Sequence, residues 1–210
     1  MSAAGQGWNR REFVGAASLL ALALGVPAAA IKLTDLDAQD APTDRQRRLM
    51  TRVADLVIPR TDTPGAADVG AGDFVILALA HGLNETRAPM AAANVTAALA
   101  PFRRRNGSLR YLAWLENALD RSASGDFLRH PRERQAEILA ALDEAAFAKE
   151  APFSPWNVIK GLILTGYYTS EAGASQELRY ELVPGKWEWN IPLTPEMRAF
   201  SSDWTAVDFG

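Results

Sequence analysis

The sequence predicts an all-α fold, a single helical bundle of about five to six helices followed by a long, largely irregular C-terminal arm. Three observations carry this. Apolar residues recur at helical three- and four-residue spacing in several separate segments, helix start and stop signals bracket those segments, and the period-two alternation of a half-buried strand is scarcely seen anywhere in the 210 residues. On this basis the chain divides into an N-terminal segment 1–30, a polar leader 31–42 that ends in proline, a helical domain 43–170 and an arm 171–210.

Within the domain, Thr43 with Gln46 three residues on is a capping-box pair, in which each side chain takes up a free backbone N–H at a helix start. Leu49, Met50, Val53 and Val57 then follow at helical spacing, and Pro59 stops the run. The stretch PRTDTPGAADVGAGD, 59–73, is a turn-rich loop whose Pro64-Gly65 pair suits the two central positions of a type II turn. Residues 74–83 are apolar almost all round, as in a buried helix, with Gly82 as its stop. Residues 86–102 are alanine-rich and expected to be helical in part, interrupted by Pro89 and Pro101.

Arg103, Arg104 and Arg105 come next, either as a solvated face or as a contact for an acidic partner surface. Leu112, Leu115 and Leu119 mark an amphipathic helix ending near Gly125. Pro131 opens the clearest helix, with Ile138, Leu139, Leu142 and Ala146 on one stripe. Ser154 and Pro155 are the cap and first-turn residues of the last, whose inner face is Ile159, Leu162, Ile163 and Gly166.

The arm is different in kind. Tyr180, Trp187, Trp189, Phe200, Trp204 and Phe209 sit among prolines 184, 192 and 195 with weak helical periodicity. Each such ring can bury about 150 to 250 Å² and is poorly left in water. The arm therefore either folds back over its own helices or wraps another subunit, where tryptophan and tyrosine are favoured anchors.

The N-terminal segment separates from the rest by an arginine pair, Arg10 and Arg11, and an uncharged run from Phe13 to three terminal alanines. The run is too short and too alanine-rich for a membrane span, and reads as a signal peptide. Arg10 and Arg11 followed two places later by Phe13 resemble the twin-arginine export signal, with Asn9 in place of its hydroxyl residue, Val14 of its leucine and Gly15 of its lysine. The expected location is the periplasm, reached through the twin-arginine translocase. Removal of this segment shifts the net charge from −3 to −4, and nothing in that balance suggests nucleic acid.

Candidate chemistry is sparse. The chain has no cysteine, which in an oxidising compartment excludes disulfides, a thiol nucleophile, thiolate metal sites and covalent haem attachment through this chain. There is no Gly-x-Ser-x-Gly elbow and no His-Glu-x-x-His. The two histidines, His81 and His130, lie 49 residues apart at helix boundaries, without ligand spacing. The glycines of 65–73 lack the lysine of a phosphate loop. No catalytic, cofactor-binding or metal residue is singled out, although acid–base pairs formed through space are invisible at this level.

Three stretches, LVIPRTDTPGAADVG (56–70), GLILTGYYTSEAG (161–173) and ELRYELVPG (177–185), resemble the gluconate 2-dehydrogenase subunit 3 family. The resemblance implies a small, noncatalytic subunit of a membrane-associated periplasmic sugar or sugar-acid dehydrogenase. In such complexes FAD belongs to a large subunit that resembles glucose–methanol–choline oxidoreductases, and haem c to a cytochrome subunit. A flavoprotein acquires its cofactor and folds before transport, and the twin-arginine route carries folded cargo, so the small subunit would supply the export address. Residues expected to face the partner are Tyr167, Tyr168, Tyr180, Trp187, Trp189, Trp204 and Phe209, with Tyr167 and Tyr168 equally suited to capping their helix. Two other readings stay open on the residues alone: a self-sufficient periplasmic enzyme with an unrecognised carboxylate or metal site, and a helical binding or scaffold protein.

Overall fold

A computed structural model describes residues 41–180 together with 192, 194, 197, 198, 200 and 201. The leader before 41, the arginine pair at 10 and 11 with Phe13, and the arm aromatics Trp187, Trp189, Trp204 and Phe209 lie outside the described residues. The fold is all-α. Its helices are α1 (Asp44–Val57), α2 (Ala71–His81), α3 (Tyr111–Ser122), α4 (Arg132–Phe147) and α5 (Pro155–Tyr168). After α5 comes a five-residue π-turn, Gly173–Glu177. One two-residue parallel pairing follows among the described residues, β1 (Arg179–Tyr180) on β2 (Phe200–Ser201).

Helix starts form where local chemistry demands them. The Thr43 hydroxyl accepts from the backbone N–H of Gln46 while the Gln46 side chain accepts from that of Thr43, so the capping box is complete. Ser154 caps α5 through the backbone N–H of Trp156, and Pro155 occupies the first turn. Gly82 ends α2 at φ 86°, a left-handed cap.

Helix α2 is the centre of the bundle. Eight of its 11 residues are buried, so it has no solvent stripe and must be covered on every side. Helices α1 and α5 provide most of that cover. The α2–α5 crossing depends on Gly166, where a Cβ would come within 2.7 Å of the Phe74 ring. Met50 and Val53 from α1, Leu115 and Leu119 from α3, Ile138 and Leu139 from α4, and Ile159, Leu162 and Ile163 from α5 complete one core.

Polar ties join the periphery. Arg45 of α1 reaches Glu116 and Asp120 of α3, at 2.8 Å for the latter, and Asp126 beyond α3 at 2.7 Å. Asp143 of α4 accepts from the buried Trp156 indole at 2.7 Å and from Lys160 of α5 at 2.7 and 2.9 Å. Burial raises the Asp143 carboxyl, but these bonds outweigh it and leave the group below the usual carboxylate range.

Three expectations need correction. Helix α2 starts at Ala71 rather than Phe74, because Ala71 and Gly72 are already buried in the same face. Residues 86–102 contain only single-turn 3₁₀ segments, 92–94 and 100–102, with another just before at 83–85. Alanine content alone supplies propensity but no apolar stripe to pack: of residues 91–100 only Leu99 is buried. Gly65 does not take the positive φ that a type II turn requires. No helix of the described residues is long and apolar enough to cross a membrane.

Candidate functional site

The three stretches that carry the family resemblance meet at one junction. It forms where the loop between α1 and α2 folds over the C-terminal end of α5 and the π-turn after it.

The loop is built from its own backbone. Ala66 N–H donates to the Ile58 carbonyl at 2.9 Å, closing 58–66 into a compact turn. Gly65 sits inside that closure, and a Cβ there would lie 2.6 Å from the Arg60 nitrogen and 2.8 Å from the Ile58 oxygen. Close backbone approach, not turn handedness, is what demands glycine. Asp68 fastens the turn from outside, accepting from the Gly65 N–H at 2.8 Å and from Arg60 at 2.6 Å. The Arg60 guanidinium, with the Gly65 N–H, holds the Asp68 carboxyl below the usual carboxylate range.

Helix α5 supplies the seat. Tyr167 is buried, at 1% exposure, and its hydroxyl donates to the Pro64 carbonyl at 3.0 Å. Burial, and then the negative charge of Glu177, push its phenol above the ordinary tyrosine range. One residue on, Tyr168 is 38% exposed and packs edge-on against Tyr167, ring centroids 5.1 Å apart. Ser170 closes the helix end by donating from its hydroxyl to the Tyr167 carbonyl at 2.6 Å and accepting from the Gly173 N–H at 3.2 Å. Gly173 lies against that same carbonyl, where a Cβ would stand 2.1 Å from the oxygen.

The π-turn then brings Glu177 to the loop. Buried Thr63 donates from its hydroxyl to the Glu177 carboxylate at 2.7 Å. Beyond it, Arg198 stands 3.6 Å from Asp62 at the exposed lip of the loop. Chemically the junction is a latch. Its hydroxyls and carboxylates are engaged in holding loop, helix end and arm together, and Tyr167 is kept protonated and donating to a carbonyl.

The candidate residues thus separate. Tyr167 faces inward and has almost no surface in this fold, because its hydroxyl anchors the loop. Tyr168 presents an edge to solvent. Tyr180 is described by its backbone, which pairs with Ser201 in the β1–β2 pairing, and Trp187, Trp189, Trp204 and Phe209 fall outside the described residues. His81 closes α2 and His130 caps the short helical turn 127–129. Among the described residues no group of three histidine, aspartate or glutamate side chains could hold a metal ion.

The Thr63–Glu177 contact is absent from the sequence reading. The signal available was that both residues fall in family stretches; the geometry that joins them spans 114 positions. The Arg45 cluster was likewise missed, though Glu116 and Asp120, four apart on one helix face, mark a place that wants a cation.

Searches of curated proteins and of solved structures find no match to this chain. The family model described as gluconate 2-dehydrogenase subunit 3 matches residues 44–185, most of the sequence, and spans the five α-helices of the described residues, the loop and the latch. The chain belongs to the gluconate 2-dehydrogenase subunit 3 family, small accessory subunits of dehydrogenase complexes.

Proposed function

We propose that this protein is the noncatalytic small subunit of a periplasmic FAD-dependent sugar or sugar-acid dehydrogenase. It binds the folded flavin subunit, escorts it through the twin-arginine translocase and stabilises it afterwards. The observation that carries the reading is the family match over 44–185, joined to an Arg10-Arg11-x-Phe13 export motif ahead of it. The latch supports it, since the polar groups at the family motifs are turned to holding the fold rather than toward an open cleft.

The physical demand is a complex that outlives transport. Nanomolar affinity corresponds to about −12 kcal/mol, within reach of an interface anchored by several aromatic side chains after its ordering costs. Trp187, Trp189, Trp204 and Phe209 of the arm, with Tyr168 on the helical body, are the proposed anchors. FAD resides in the large subunit and haem c in a cytochrome subunit, the latter consistent with a chain that has no cysteine.

Expressing the large subunit with and without this chain tests the proposal through flavin content and periplasmic dehydrogenase activity. Loss of periplasmic holoenzyme without the small subunit is expected, and unchanged holoenzyme contradicts the escort role. Arg10→Lys with Arg11→Lys should strand both subunits in the cytoplasm.

A further inference from the structure

The described residues carry a basic turn, FRRRNGSLR, 102–110, which the latch does not use. It is a built hairpin. Arg103 and Leu109 form an antiparallel bridge, Arg104 N–H donates to the Ser108 carbonyl at 2.7 Å, and Arg110 N–H donates to the Phe102 carbonyl at 2.8 Å. The three-residue loop closes on Gly107 at φ 84°, the left-handed position such loops require. Asn106 accepts from the N–H and hydroxyl of Ser108, and Met90 N–H donates to the Gly107 carbonyl at 3.0 Å, docking the hairpin on the preceding segment.

This frame displays Arg103, Arg105 and Arg110 as exposed side chains, while Arg104 turns back to the Leu109 carbonyl. Among the described residues none of the three has a carboxylate within ion-pair distance. Elsewhere among the described residues Arg45, Arg52, Arg60, Arg129, Arg132 and Arg134 sit against aspartate or glutamate, and Arg47, Arg48 and Arg121, each carried on a helix, do not. In a chain of net charge −3, three guanidinium groups within eight residues, on a hairpin and without an ion pair among the described residues, are a local reversal of sign.

We infer that the 102–110 hairpin is a docking surface for an acidic face of the flavin-dependent large subunit, an inference that rests on the subunit role proposed above. Arginine is enriched at protein interfaces, and its planar fork pairs bidentately with carboxylates. An anionic bilayer is the weaker occupant. Each basic side chain adds only about fivefold to bilayer affinity, and stable interfacial binding also needs apolar side chains to insert. The exposed apolar groups of the adjoining segment 88–101 are alanine methyls, Pro89, Pro101 and the small Val95.

The test uses the whole small subunit carrying Arg103→Ala, Arg105→Ala and Arg110→Ala, leaving Arg104, Asn106 and Gly107 to hold the hairpin. Association with the purified large subunit is followed over a range of salt concentrations, beside a triple lysine variant and an Arg48→Ala control on α1. The alanine variant should associate about tenfold more slowly at low salt, with a flattened salt dependence. The lysine variant should fall between, and Arg48→Ala should match wild type. Equal rates and salt slopes for wild type and the alanine variant overturn the inference while leaving the subunit role intact. Wild type that does not bind the large subunit at all removes the subunit role itself. Vesicles of phosphatidylglycerol and phosphatidylethanolamine form the second arm: wild-type binding to them that the alanine variant loses, with large-subunit association unchanged, assigns the hairpin to membrane and overturns the inference.

Discussion

Two connections flank α2, and they spend their polar groups in opposite ways. The 58–70 loop, with Pro59, Pro64 and Gly65, turns the Thr63 hydroxyl to Glu177, the Asp68 carboxylate to its own backbone and the Pro64 carbonyl to Tyr167. The 82–110 connection, equally marked by Pro89, Pro101 and Gly107, folds into short turns that leave alanines and three arginines facing out. Both lie inside the family match. A recognisable motif can therefore mark architecture, while the groups free to meet a partner occupy a less distinctive stretch. The deciding property is whether a polar group already has its partner within the fold.

The comparison breaks most easily at the latch. Gly173→Ala forces a Cβ into the Tyr167 carbonyl, a backbone clash that no side-chain rotamer relieves. The variant should lose about 3 kcal/mol of stability, read as a marked fall in Tm of the isolated subunit. A Tm equal to wild type would mean that the helix end and the π-turn are not held against each other.

Tyr167→Phe comes next. It keeps the ring in the core, removes one hydrogen bond and leaves the Pro64 carbonyl short of a donor, at a cost of about 1 to 2 kcal/mol in denaturant melts. The same residue sharpens the comparison through pH. Its phenol is raised in the folded state, so the contribution of the neutral form is fully present below the unfolded tyrosine value of about 10 and is lost as pH rises through the higher folded value. Wild type should therefore lose stability in that alkaline window while Tyr167→Phe shows a smaller loss there. Ultraviolet tyrosinate absorbance should show one late-titrating group fewer in the variant than in wild type, Tyr111 being raised by burial in both.

The smallest stability effect belongs to the hairpin. Removing the exposed Arg103, Arg105 and Arg110 side chains together should change the unfolding free energy by no more than about 0.5 kcal/mol, since none has an ion pair to lose among the described residues. A loss comparable to that of Tyr167→Phe would place these arginines with the latch residues.

What the sequence made legible was local. The Thr43–Gln46 box, the Ser154-Pro155 start and the Gly82 stop each depend on residues no more than four apart, and each is found where expected. What it hid was long-range. Pro64-Gly65 was read as a turn type, but the glycine is fixed by the passage of residues 58–60 through the same space. Tyr167 and Tyr168 are indistinguishable in sequence, and only a carbonyl 103 positions earlier decides that the first turns inward. The alanines of 91–100 advertised helix without the apolar stripe that would have anchored one. The three arginines were read as either solvated or partner-facing, and their framing by a bridged hairpin depends on Gly107 adopting a left-handed backbone that composition does not reveal.

The division of labour is tested most directly by backbone hydrogen exchange on this subunit alone and bound to the flavin-dependent large subunit. The account predicts new protection across 86–110 on binding, with 58–70 and 170–177 already slow in the free protein and unchanged. New protection confined to 58–70 and 170–177, with 86–110 exchanging as before, would contradict it.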